Sequence, residues 1–156
     1  MYNADIKRNA GAGMYKAIGL ETAAMSASAY QLVTMLFDGA KAAISVARYH
    51  MANSNVAAKG NAISKAINII DSGLKASLDA EAGGEAGAKL VANLSALYDY
   101  INQRLLYANL RNDPELLNEA ERLLDNIGSA WREIGRRGEA GAVAKASVPA
   151  GMAAEG

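Results

Sequence analysis

A histidine holds a metal or carries a phosphoryl group only when its neighbours supply the rest of the site, and this chain has one histidine, His50. A carboxylate-bridged metal pair inside a helical bundle takes two Glu-x-x-His pairs and two further inward glutamates. Ala47 stands three residues before His50, where that glutamate would be, so such a centre is excluded. A phosphotransfer bundle needs only a single histidine. Here it lies beside Arg48, Tyr49 and Met51 near a helix end, and a solvated surface setting is the simpler explanation.

The remaining polar constellations are plainer. Glu115 with Glu119, and Glu121 with Asp125, are acidic pairs at helical spacing with Arg122 and Arg132 near enough to balance them, the pattern of a solvated helix face. Arg136-Arg137 suits the negative end of a helix dipole. Gly11 and Gly13 follow no strand and precede no Gly-Lys-Ser/Thr, so they do not build a phosphate loop. Cysteine is absent, which excludes disulfides, thiolate zinc sites and cysteine nucleophiles and removes the usual mark of an oxidising compartment. No catalytic residue, metal or cofactor is expected.

The elements that would position any site must come from 156 residues, enough for one domain. Sixteen basic and 16 acidic residues leave no net charge to attract phosphate polymers, so nucleic acid is not an expected partner. The composition is 51% hydrophobic, but 34 residues are alanine; with 6% aromatics and two prolines it reads as all-helical. The opening MYNADIKRN has charges where an export signal needs its apolar centre. The longest uncharged stretch, Thr22 to Phe37, is 16 residues, short of the roughly 20 apolar residues a bilayer span requires, so no membrane insertion is expected.

Four apolar-periodic segments follow. Ser28 and Gln31 form a capping box that starts the first, which runs to Ala52 with Leu32, Leu36, Ala40, Ala43 and Ala47 on one face. The second, Val56 to Asp79, carries Ile63, Ile67, Ile70, Leu74 and Leu78 and stops at Gly83-Gly84. The third, Glu85 to Arg111, carries Leu90, Leu94, Leu97, Ile101, Leu105 and Ala108. Asp113-Pro114-Glu115 opens the fourth, a capping Asp with Pro at the first helical position; its stripe is Leu116, Ala120, Leu123, Ile127, Ala130 and Ile134. Short connections force successive helices antiparallel. The expectation is an all-α, antiparallel up-down four-helix bundle over residues 28–137. An N-terminal segment, 1–27, precedes it, and a disordered Gly/Ala-rich tail, 138–156, follows.

The apolar faces are wider than one core stripe of about 100°. Val33, Phe37 and Ile44 make a second line on the first helix, and Ala66, Ile69 and Gly73 on the second; Tyr98 adds width on the third. Gly39 and Gly73 sit inside helices, where each costs about 1 kcal/mol relative to Ala. Close packing within the bundle explains this pattern, and so does a shallow groove that takes another helix.

Several strings resemble the FliS family of flagellar export chaperones: MSASAYQLVTMLFDGA at Met25–Ala40, ISKAINIIDSGLKASLD at Ile63–Asp79, the turn Gly83-Gly84-Glu85, and LSALYDYINQRLLYANLRND at Leu94–Asp113. Trp131 agrees, and order and spacing hold from Met1 to Arg136. The resemblance implies a cytoplasmic helical bundle with no enzymatic activity. Its expected partners are the C-terminal segment of flagellin and the export gate component FlhA, with a homodimer possible when unliganded. The chaperone would prevent premature polymerisation of flagellin and deliver it to the gate. An N-terminal cap would cover part of the groove until the client displaces it, and Tyr15, Ile18 and Leu20 match its positions. Ala29 stands where relatives often carry proline.

On this reading the groove residues are Val33, Phe37, Ile44, Ala66, Ile69, Gly73, Tyr98, Leu105 and Asn109, with Asp38, Lys65 and Asp99 as polar contacts that fix register. The alternatives from other classes are a phosphotransfer bundle using His50 and a self-associating bundle.

Overall fold

The computed structural model describes residues 28–147 except Ala80 and Ala82, with side chains described through Arg136. The expected cap residues Tyr15, Ile18 and Leu20 lie outside the described residues, as does the end of the tail, 148–156.

Helix α1 is Ala29–Ala52, and its start is the expected capping box. Ser28 Oγ accepts from the Gln31 N–H at 3.2 Å while Gln31 Oε1 accepts from the Ser28 N–H at 2.9 Å. Helix α2 is Val56–Asn68, α3 is Gly84–Arg111 and α4 is Pro114–Ser147. Asp113 Oδ1 accepts from the Glu115 N–H at 2.9 Å, closing the first turn of α4 around Pro114. The helix continues to Ser147, past the boundary expected at residue 137, because the Ala, Glu and Lys residues there are strong helix formers that outweigh Gly138 and Gly141.

Contacts across the bundle fix the order as antiparallel. Tyr30 meets Arg132 and Arg48 meets Glu121, pairing opposite ends of α1 and α4. The Lys59 amino group caps the end of α3, donating to the Asn109 carbonyl at 3.1 Å and Asn112 Oδ1 at 3.0 Å. The core between the helices is built from small and branched residues, Ala40, Ile44, Ile63, Ala66, Ile101, Leu105, Leu117 and Leu124 among them. Those alanines let the helices approach closely, so broad faces are buried.

One element departs from the expected continuous second helix. Residues Ile69–Leu74 form a π turn and Lys75–Ser77 a 3-10 turn. The Lys75 N–H donates to the Ile70 carbonyl, the five-residue spacing of a π turn. Asn102 of α3 reaches across to donate to the Ile67 carbonyl at 3.4 Å, the kind of side-chain insertion that disrupts the four-residue ladder. Ser77 Oγ then donates to the carbonyls of Gly73 at 2.5 Å and Leu74 at 3.0 Å, satisfying acceptors at the segment's end. Underwinding of this kind turns the residues beyond it by about 100° relative to an unbroken α-helix.

Candidate apolar groove

Among the described residues, the upper ends of the expected core stripes run out of partners. Leu90 on α3 is 56% exposed and Ile134 on α4 is 58% exposed, although both continue stripes whose lower residues, Ile101, Leu105 and Ala108 on α3 and Leu116 and Ala120 on α4, are buried. Leu94 and Ile127 are only partly covered. Between them opens a groove of about 360 Å³. Its α1 wall is Val33 and Phe37; the second segment contributes Leu74, Ser77 and Leu78. Leu90, Leu94 and Tyr98 come from α3, and Asn126, Ile127, Ala130, Trp131 and Ile134 from α4.

The lining is almost wholly apolar. Phe37 is 2% exposed and packs against Gly128, where a Cβ would stand 3.4 Å from the ring, so it is at once core and groove wall. Tyr98 is 3% exposed, and burial pushes its hydroxyl up to about 12. Of the two polar linings, Ser77 already spends its hydroxyl hydrogen on the π turn's carbonyls. A site so built is suited to burying apolar surface, with Asn126 as its remaining polar lining residue.

Of the residues expected in a groove, the structure brings together Val33, Phe37 and Tyr98. Ile44, Ala66, Ile69, Gly73 and Leu105 are placed inside the bundle, sealed by neighbouring helices. Asn109 is half-buried at the far end, beside Gly60 and with its carbonyl bound to Lys59. Asp38 is exposed and pairs with Arg132 at 2.7 Å, next to Trp131 in sequence. Asp99 pairs with Lys75 at 2.7 Å, and that hydrogen bond holds the Lys75 ammonium above its ordinary value. Lys65 lines a separate shallow hollow of about 160 Å³ with Gly39, Ala42 and Val46.

Sequence reasoning left out Leu74, Leu78, Leu90, Leu94, Ile127, Ala130 and Ile134, which it assigned to the core stripes, and Ser77, Asn126 and Trp131, which it did not place in the groove. No signal in a single stripe says where along its length the partner ends. His50 is half-buried, and its Nδ1, closed off from solvent, meets no hydrogen-bond partner among the described residues. Among the described residues no three His, Cys, Asp or Glu side chains gather as a cation site, and no helix is long and apolar enough to cross a membrane.

The family model described as flagellar protein FliS matches residues 11–138. A flagellar secretion chaperone FliS of Salmonella typhimurium is 55% identical over 120 residues, 77% of this chain and 86% of the relative. That of Escherichia coli is 51% identical over 123 residues, 79% of this chain and 88% of the relative. A FliSB of Pseudomonas aeruginosa is 38% identical over 120 residues, covering 77% and 91%.

Proposed function

The chain belongs to the FliS family of flagellar secretion chaperones, and from that membership we propose that it holds the C-terminal helical segment of flagellin in the groove between α1, α3 and α4. The observation that carries this reading is the pair of core-like stripes exposed at Leu90 and Ile134 and only partly covered at Leu94 and Ile127. An amphipathic client helix before assembly has the complementary defect, an apolar stripe facing water. Docking removes both exposed surfaces at about 25 cal/mol per Å² of apolar area, and the ordering of a flexible client offsets part of that gain. Binding of this kind is tight enough to block premature polymerisation and still reversible.

The chaperone acts in the cytoplasm and hands its client to the export gate component FlhA, with no catalytic step. Mixing the full chain with the C-terminal segment of flagellin and weighing the complex by sedimentation tests this reading. A one-to-one complex is expected. Absence of any complex, or a homodimer that persists unchanged in the presence of the segment, overturns it.

A further inference from the structure

Trp131 is the chain's single tryptophan and part of the groove wall, and its placement is not left to α4 alone. Tyr30, in the first turn of α1, stacks on it with ring centroids 5.6 Å apart and planes inclined by 19°. The indole Nε1–H donates to the Tyr30 carbonyl at 3.3 Å, and the Tyr30 hydroxyl donates to the Arg132 carbonyl at 3.4 Å. One turn beyond Trp131 lies Gly135, buried. A Cβ built there would stand 1.8 Å from Tyr30 Cε1 and 2.1 Å from Cζ. Residues four apart share a helix face, so the missing side chain at 135 opens a slot beside the indole, and the tyrosine ring fills it.

Glycine is a poor helix former, so a buried glycine inside α4 needs a return for the stability it forgoes. Tyr30, Val33 and Phe37 follow one another on the same face of α1, and the latter two line the groove. Ile127, Trp131 and Ile134 do the same on α4. The Tyr30 ring therefore stands where these two walls meet, behind the indole.

We infer that Tyr30 is a positioning residue for client binding: seated in the slot left by Gly135, it holds the Trp131 indole as a fixed wall of the groove. The inference rests on the reading of that groove as the client site. A side chain fixed before the client arrives loses less rotational freedom on docking, and a stacked aromatic pair is worth more than its buried area alone.

The test uses the full chain and a peptide spanning the C-terminal segment of flagellin, with Trp131 emission read in the absence of peptide. Tyr30→Phe keeps the ring in its slot, Tyr30→Leu keeps apolar bulk without the stack, and Gly135→Ala fills the slot. Tyr30→Phe is expected to leave emission unchanged and affinity within about twofold of wild type. Tyr30→Leu and Gly135→Ala are expected to shift emission to the red and weaken peptide binding by about threefold to tenfold, at temperatures where far-UV circular dichroism reports a folded bundle. If Gly135→Ala does not fold, Tyr30→Leu decides alone. Wild-type affinity and emission in the folded Tyr30→Leu variant overturn the positioning role. Failure of the wild type itself to bind the peptide overturns the client reading instead.

Discussion

Gly73 faces Leu36 so closely that a methyl group on its α-carbon would stand 2.9 Å from Leu36 Cδ2 and 3.2 Å from Cδ1. Leu36 is 2% exposed and part of the packed core, so its side chain yields only by displacing neighbours. The glycine that looked anomalous inside a helix is thus explained by contact between the π turn and α1. Gly73→Ala is expected to lose about 1–3 kcal/mol to overpacking, partly offset by better helix propensity, and a lowered urea midpoint at unchanged slope would show it.

Phe37 cannot serve as a clean probe of binding, because it is a wall of the groove and a member of the core together. Phe37→Ala is expected to destabilise the bundle by about 3–5 kcal/mol, and Phe37→Asp, which adds a buried charge, to unfold it. Thermal melting followed by circular dichroism separates this from a surface effect, in which both variants would melt with the wild type.

Lys59 is only 5% exposed and gives its ammonium to two oxygens at the end of α3, one of them on Asn112 in the left-handed cap. Lys59→Met keeps the stem and removes the donors, leaving those acceptors short of a partner. A loss of about 1–3 kcal/mol in denaturant unfolding is expected, with the third helix fraying first in amide exchange.

Glu119 accepts from the Tyr100 hydroxyl at 2.5 Å and from Arg104 Nε at 2.8 Å. Those bonds, the tyrosine's first and the arginine's second, hold its carboxyl below the ordinary value. A depressed folded-state pKa contributes stability above the unfolded carboxylate value, and that contribution is lost as pH falls through the lower folded value. Glu119→Gln is expected to cost about 1 kcal/mol or less at pH 7, since the site is partly solvated. The difference from wild type should shrink in melts carried below the carboxylate range; a gap independent of pH would show the charge to be irrelevant.

The helices themselves were legible because their signals are local. The Ser28–Gln31 box, the Asp113-Pro114 start and the three-and-four spacing of Leu and Ile act within a few turns. The π turn was not, because the stripe from Ile63 to Leu78 fits an unbroken helix. What breaks it comes from elsewhere in the chain, from Asn102 on the Ile67 carbonyl and Leu36 over Gly73. The groove was legible only in part for a related reason. Ile44, Ala66 and Ile69 look surplus to a single stripe, yet close-packed alanine-rich helices bury wide faces and absorb them. Leu90 and Ile134 look like core and are not, because coverage depends on where the neighbouring helix ends.

Leu90 and Ile134 are therefore the residues that separate binding from folding, being groove walls that are more than half exposed. Isothermal titration of the flagellin C-terminal segment into wild type, Leu90→Asp and Ile134→Asp, with melting temperatures measured alongside, decides whether the groove holds the client. One-to-one binding with a negative heat-capacity change is expected for wild type. Each aspartate variant should bind at least about tenfold more weakly with a melting temperature close to wild type. Undiminished binding by both stable variants would contradict it.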